Sequence, residues 1–165
     1  MKKGTKSRKT EKTILWLLIV LWMLVIFLFS SQNGDESGQL SQGFLRKFIL
    51  CFLPDNMNSN TVDFLEYILR KCAHMTEYAV LGILISLQIR LYQLFRQEWK
   101  KILSAVISVM IYASTDEIHQ LFIGGRTGRF TDVLIDTCGG LIGALLIYLI
   151  WKIRISKKSE NGGKI

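Results

Sequence analysis

Nine side chains in this sequence have the types and spacings that chemistry requires. Arg70, His74 and Glu77 lie in "RKCAHMTE", and Asp116, Glu117, Gln120, Arg126, Asp132 and Asp136 lie in "DEIHQLFIGGRTGRFTDVLID". His74 and Glu77 are three residues apart, as are Asp116 and His119, so each pair shares one helical face. An imidazole beside a carboxylate suits proton transfer. Oxygen and imidazole ligands on several bundle helices also suit a divalent ion. No His-Glu-x-x-His is present, however, and basic residues crowd the motif, so no metal and no cofactor are assigned. Ser114 and Thr115 lack an activating base, and no nucleophile elbow accompanies them, so no catalytic residue is named and the chain reads more as a non-enzyme than as an enzyme. In "GGRTGR", Gly124, Gly125 and Gly128 allow positive φ, and such turns can offer backbone N–H groups to an anion. Gly125, Arg126 and Arg129 are the anion-contact candidates. The plainer reading of the turn is a tight helical hairpin with arginines reaching lipid phosphates.

The elements that must position these groups are membrane helices. The 165 residues are 50% hydrophobic with a formal net charge of +8, and the mean hydropathy is +0.29. A spanning helix needs about 20 mostly apolar residues. Four such runs lie at about 14–31, 72–95, 102–123 and 133–151, which predicts an all-α integral membrane protein built as a bundle of four transmembrane helices. Residues 14–151 form the membrane domain, between basic cytoplasmic tails at 1–13 and 152–165. The first run follows "KKGTKSRKTEK" without a small-x-small cleavage site and reads as an uncleaved anchor. Cys51, Cys72 and Cys138 have no metal-type spacing and read as small buried hydrophobes.

Basic residues flank apolar runs, at both tails and from Arg90 to Lys101. That placement points to a membrane surface rather than to nucleic acid. It also places both termini in the cytoplasm, in a multi-pass cell-membrane topology. The loops 30–71 and 124–132 then face outward. In the first of these, Leu40, Phe44, Leu45, Phe48, Ile49, Phe52 and Leu53 recur at helical spacing, as an amphipathic segment lying at the interface between the first and second spans. Thr61 is the expected cap of a helix running into the second span.

Helical spacing aims the polar groups at one another. Arg70, His74, Glu77 and Leu81 form one stripe, and Asp132, Asp136, Gly139 and Gly143 form another. Asp116 continues the stripe of Ala105, Val109 and Ala113. The Gly-x-x-x-Gly beneath the carboxylates permits close backbone approach. A charge at the centre of a membrane helix costs roughly 2.5–3.5 kcal/mol, so the groups must pair. Arg70, Lys71, Arg126 and Arg129 stand available to Glu77, Asp116, Glu117, Asp132 and Asp136.

Taken together, "RKCAHMTEYAVLGIL", "YASTDEIHQLFIGGRTGRFTDVLIDTCGGLIGALL" and "FSSQNGDESGQLS" resemble the VanZ-like family of small bacterial membrane proteins. The likeness runs from about Leu15 to Ile150. It implies that Arg70, His74, Glu77, Asp116, Glu117, Gln120, Arg126, Asp132 and Asp136 are the family motif. It also implies an association with reduced susceptibility to teicoplanin, a lipid-bearing glycopeptide, although other members lie outside resistance clusters. Three readings follow: a site for a lipoglycopeptide or envelope-lipid ligand, an enzyme acting on a phosphorylated or acylated envelope lipid, or a polar lock that only joins helices. The bilayer is the expected partner in all three.

Overall fold

The computed structural model describes residues 3–31, 58–123 and 128–162. They form four helices and no strand: α1 Lys3–Ser30, α2 Ser59–Tyr92, α3 Glu98–Gln120 and α4 Phe130–Gly162. The amphipathic stretch from Leu40 to Leu53 lies outside the described residues, as do Cys51, Gly124, Gly125 and Arg126.

Among the described residues three helices are long and apolar enough to cross a membrane, over Arg8–Ser30, Asn60–Tyr92 and Phe130–Lys157. Helix α3 is not among them, and its sequence shows why. Between Lys101 and Asp116 it has an uncharged run, 102–115, that spans only about 21 Å at the α-helical rise. The hydrocarbon core is about 30 Å thick. This helix reaches that length only by taking its carboxylates in with it.

The helices run up, down, up, down. Ser30, at the end of α1, meets Asp116 and Gln120 near the end of α3. Lys71 in α2 meets Asp132 at the start of α4. At the other end Arg90 of α2 reaches both Glu98 of α3 and Trp151 of α4.

Helix boundaries differ from the sequence reading where local hydrogen bonding decides them. Asn58, not Thr61, is the N-cap of α2, in extended backbone, and Thr61 falls in the first turn, its N–H bonded to the Asn58 carbonyl. The helix stops at Tyr92 rather than Phe95. Gln93 takes a left-handed φ of 53°, and the N–H groups of Gln93 and Leu94 bond back to Arg90 and Ile89, which is the Schellman pattern. Both terminal helices continue into the basic tails.

Helices α2 and α4 form the tightest pair, and glycine explains it. A Cβ on Gly139 would collide with the Met75 carbonyl, one on Gly143 with the Ala79 carbonyl, and one on Gly82 with the Gly140 carbonyl. These helices therefore touch backbone to backbone, as small-residue faces allow. Gly140 in turn receives Val109 of α3, whose Cγ1 lies 2.6 Å from the place of a Cβ. Ile19, Ile26, Tyr78, Leu81, Val109, Ala113 and Val133 form the main core. Cys72 and Cys138 are exposed on the outer surface, not buried as expected.

Candidate functional site

The buried face of α3 is Ala105, Val109, Ala113, Asp116, Glu117 and Gln120. Its small side chains let α3 come close to its neighbours. The polar residues that follow at the same spacing are carried into the bundle with them. Asp116 is 3% exposed, Glu117 7%, Gln120 6% and Asp136 3%. Acids this deeply buried are uncommon unless paired.

Each carboxylate is held differently. Asp116 Oδ2 accepts from Ser30 Oγ at 2.9 Å and from Gln120 Nε2 at 3.2 Å, and Gln120 Nε2 also donates to Ser30 Oγ at 2.8 Å. Its Oδ1 is buried without a hydrogen bond among the described residues. The Glu117 Oε2 atom accepts the Arg129 backbone N–H at 2.9 Å, pinning the α3–α4 turn. Asp132 pairs with Lys71 at 2.6 Å. Asp136 makes no hydrogen bond or ion pair among the described residues, although Glu117, Asp116, Asp132 and Lys71 are all within electrostatic reach.

Helix α2 supplies the opposite wall. His74 Nδ1 lies 3.6 Å from Glu77 Oε2, and the Glu77 carbonyl accepts Trp22 Nε1 of α1 at 2.9 Å. Arg70 does not join the cluster. It bonds Glu66 on its own helix at 3.1 Å, an i, i+4 pair one turn apart on the same face. Among the described residues Lys71 is thus the one cation ion-paired to the cluster across helices. Arg126, which the sequence also offered for pairing, lies outside the described residues.

Arg129 contributes its backbone N–H, already taken by Glu117, while its side chain faces out. Gly128 is needed for space: its Cβ would lie 2.6 Å from the Glu117 carbonyl. Arg126 and Gly125 fall outside the described residues. Among the described residues no group of three or more His, Cys, Asp and Glu side chains is placed to hold a metal ion.

Three participants escaped the sequence reading. Tyr78 is fully buried, and its hydroxyl lies beside Asp116 and Asp136 without a well-aligned hydrogen bond. Tyr112, with its ring 6.1 Å from that of Tyr78, donates its hydroxyl to the Met23 carbonyl at 2.6 Å. Ser30 closes the cluster from α1. A signal was present for Tyr78, which follows His74 by one helical turn on the same stripe.

Below the cluster lies a cavity of about 530 Å³ between α1, α2 and α3, lined among others by Trp16, Met23, Leu81, Ile85 and Tyr112. Tyr112 precedes Asp116 by one turn, so the apolar cavity and the acidic cluster share a wall.

A family model described as VanZ/LLP1 matches residues 15–152. The chain belongs to the VanZ/LLP1 family. Neither a curated protein nor a solved structure matches it. In this VanZ-family membrane protein the matched span contains all four helical cores and every residue of the cluster. The basic ends of α1 and α4 lie largely outside it.

Proposed function

We propose that this VanZ-family protein crosses the cell membrane four times with both termini in the cytoplasm. In that arrangement its outward-facing acidic cluster engages the polar head of a lipid-bearing envelope ligand, such as a teicoplanin-type glycopeptide. One observation carries the reading. Asp136, which has no hydrogen bond or ion pair among the described residues, and Asp116, whose Oδ1 has no hydrogen bond among them, adjoin an apolar cavity of about 530 Å³ through Tyr78 and Tyr112. A buried carboxylate without a partner is costly to maintain, and a ligand head with N–H or O–H donors would supply the missing bonds. The cavity is of the size and character that take an apolar group, so one amphiphile could occupy both. The fourth crossing rests on α3, whose carboxylates are shielded by α1, α2 and α4.

The test is susceptibility to teicoplanin in cells lacking other family members. Asp116→Asn and Asp136→Asn should raise susceptibility at matched protein abundance, as should His74→Ala and Glu77→Gln. Unchanged susceptibility for all four would remove the cluster from the resistance reading.

A second reading is favoured by the Ser30–Gln120–Asp116 hydrogen bonds, which clip the end of α1 to α3. If the cluster is only a lock, the same substitutions lower abundance or thermal stability and leave activity per molecule intact.

A further inference from the structure

At the opposite end of the bundle from the acidic cluster, α1, α2 and α4 enclose a second cavity of about 500 Å³. Its apolar wall includes Leu15, Leu87 and Ile150, and its charged lining is Arg8, Glu11, Arg90 and Arg154. Arg90 is the unusual member. Its side chain is 5% exposed, with Nη2 lying 2.6 Å from Glu98 Oε2 and the guanidinium 5.4 Å from the Trp151 ring. Its Nε and Nη1 are buried with no hydrogen-bond partner among the described residues. A buried guanidinium with two idle donors is a poor arrangement unless an acceptor arrives.

We infer that this cavity binds the phosphate of an anionic lipid headgroup, with Arg90 at its back, Arg8 and Arg154 at its mouth, and an acyl chain along the apolar wall. The shared chemistry is a phosphate-type anion, for which arginine offers forked donors. Inorganic phosphate and a phospholipid could both present it. The apolar wall favours the lipid, and basic pockets between membrane helices are established places for such headgroups. The orientation proposed above puts this end at the cytoplasmic leaflet, where anionic lipids gather. The inference does not depend on the outer cluster's ligand.

The test uses the full chain in detergent, titrated with phosphatidylglycerol, phosphatidylcholine or inorganic phosphate and followed by native mass spectrometry. Phosphatidylglycerol should bind in preference to phosphatidylcholine. Arg8→Gln and Arg154→Gln should each weaken it about fivefold, and together about thirtyfold, from the attraction of one basic residue for an anionic surface. Both side chains are exposed, so the fold survives their loss, and circular dichroism confirms it. Lys152→Gln with Lys157→Gln, exposed on α4 outside the cavity, should leave the preference intact. An equal loss with the lysine pair would overturn the pocket in favour of diffuse attraction by the tail. No preference between the two lipids would overturn it as well, and so would inorganic phosphate binding as tightly as phosphatidylglycerol.

Discussion

Adding one methyl group at Gly139 or Gly143 should destabilise this protein although it removes no contact. At both positions a Cβ would sit on a backbone carbonyl of α2, Met75 for Gly139 and Ala79 for Gly143, well inside the 3.4 Å at which ordinary contact begins. A backbone carbonyl cannot rotate away as a side chain can, so α2 and α4 must separate by roughly an ångström to restore normal van der Waals distance. Overpacking of this kind costs about 1–3 kcal/mol, and the backbone obstacle places each substitution towards the upper figure. For a chain of this size, each kilocalorie lowers the melting temperature by roughly 2–4 °C. Gly139→Ala should therefore lower it by about 4–10 °C in detergent or bicelles, and Gly143→Ala by a similar amount.

The control is Cys138→Ala, one residue away and exposed, which should change little. The separation also has a functional consequence. Asp136 lies one turn before Gly139 on the same stripe, so moving α4 outward draws Asp136 away from Glu117 and Asp116. Gly139→Ala should then reduce any activity of the cluster at temperatures where the protein remains folded. Thermal unfolding by circular dichroism checks the first effect. If both alanine variants melt with the wild type, the helices do not touch backbone to backbone, and the close α2–α4 contact is refuted.

Other expectations follow from single contacts. Ser30→Ala removes both the donor to Asp116 and the acceptor of Gln120. It should destabilise the bundle by roughly 0.6–1.7 kcal/mol, the range for side-chain hydrogen bonds between membrane helices, read by denaturant titration in bicelles. Lys71→Met leaves Asp132 without its 2.6 Å partner. Both side chains are about one-fifth exposed, so a loss of roughly 1–3 kcal/mol is expected, between the surface and buried cases. Exchanging the two residues should recover part of it in a double-mutant cycle. Burial opposes the charge of Glu98, but hydrogen bonds and attraction from Lys101 and Arg90 outweigh it and hold the carboxyl below its ordinary value. A depressed folded-state value means stability present above the unfolded value and lost as pH falls through the folded one. Glu98→Gln should flatten that acid limb in melting curves measured between about pH 3 and 6, the range in which carboxylates titrate.

The sequence was most legible where one rule governed a position. Small residues at 105, 109 and 113 predict a packing face, and Asp116 lies on it because three-residue spacing continues the stripe. Gly139 and Gly143 likewise mark the approach of α4 to another helix. The partner glycine, Gly82, was invisible, since a single glycine in an apolar run carries no spacing signal. Charge pairing was the least legible. Arg70 has eligible acids on three helices, and it pairs with Glu66 one turn away on its own helix rather than with the cluster. Tyr78 carries little sequence signal, because a tyrosine among apolar residues reads as core until its hydroxyl is seen to face two carboxylates.

Helix α3 joins these observations into one physical constraint. Its uncharged run is too short to cross a bilayer alone, and the residues that would complete the crossing are Asp116, Glu117 and Gln120. Each is buried by contact with another element: Asp116 and Gln120 by Ser30, and Glu117 by the Arg129 amide. A fourth crossing by α3 would therefore be conditional on α1 and on the α3–α4 turn, whereas α1 and α4 have the hydropathy to insert without help. That hierarchy separates folding from function within one set of residues. The hydrogen bonds of Asp116 Oδ2 and Glu117 Oε2 are occupied in seating α3. Among the described residues, Asp116 Oδ1, the Tyr78 hydroxyl and Asp136 make no hydrogen bond once the helix is seated. Those groups lie at the junction of three helices and beside an apolar cavity, which is where a ligand would meet them.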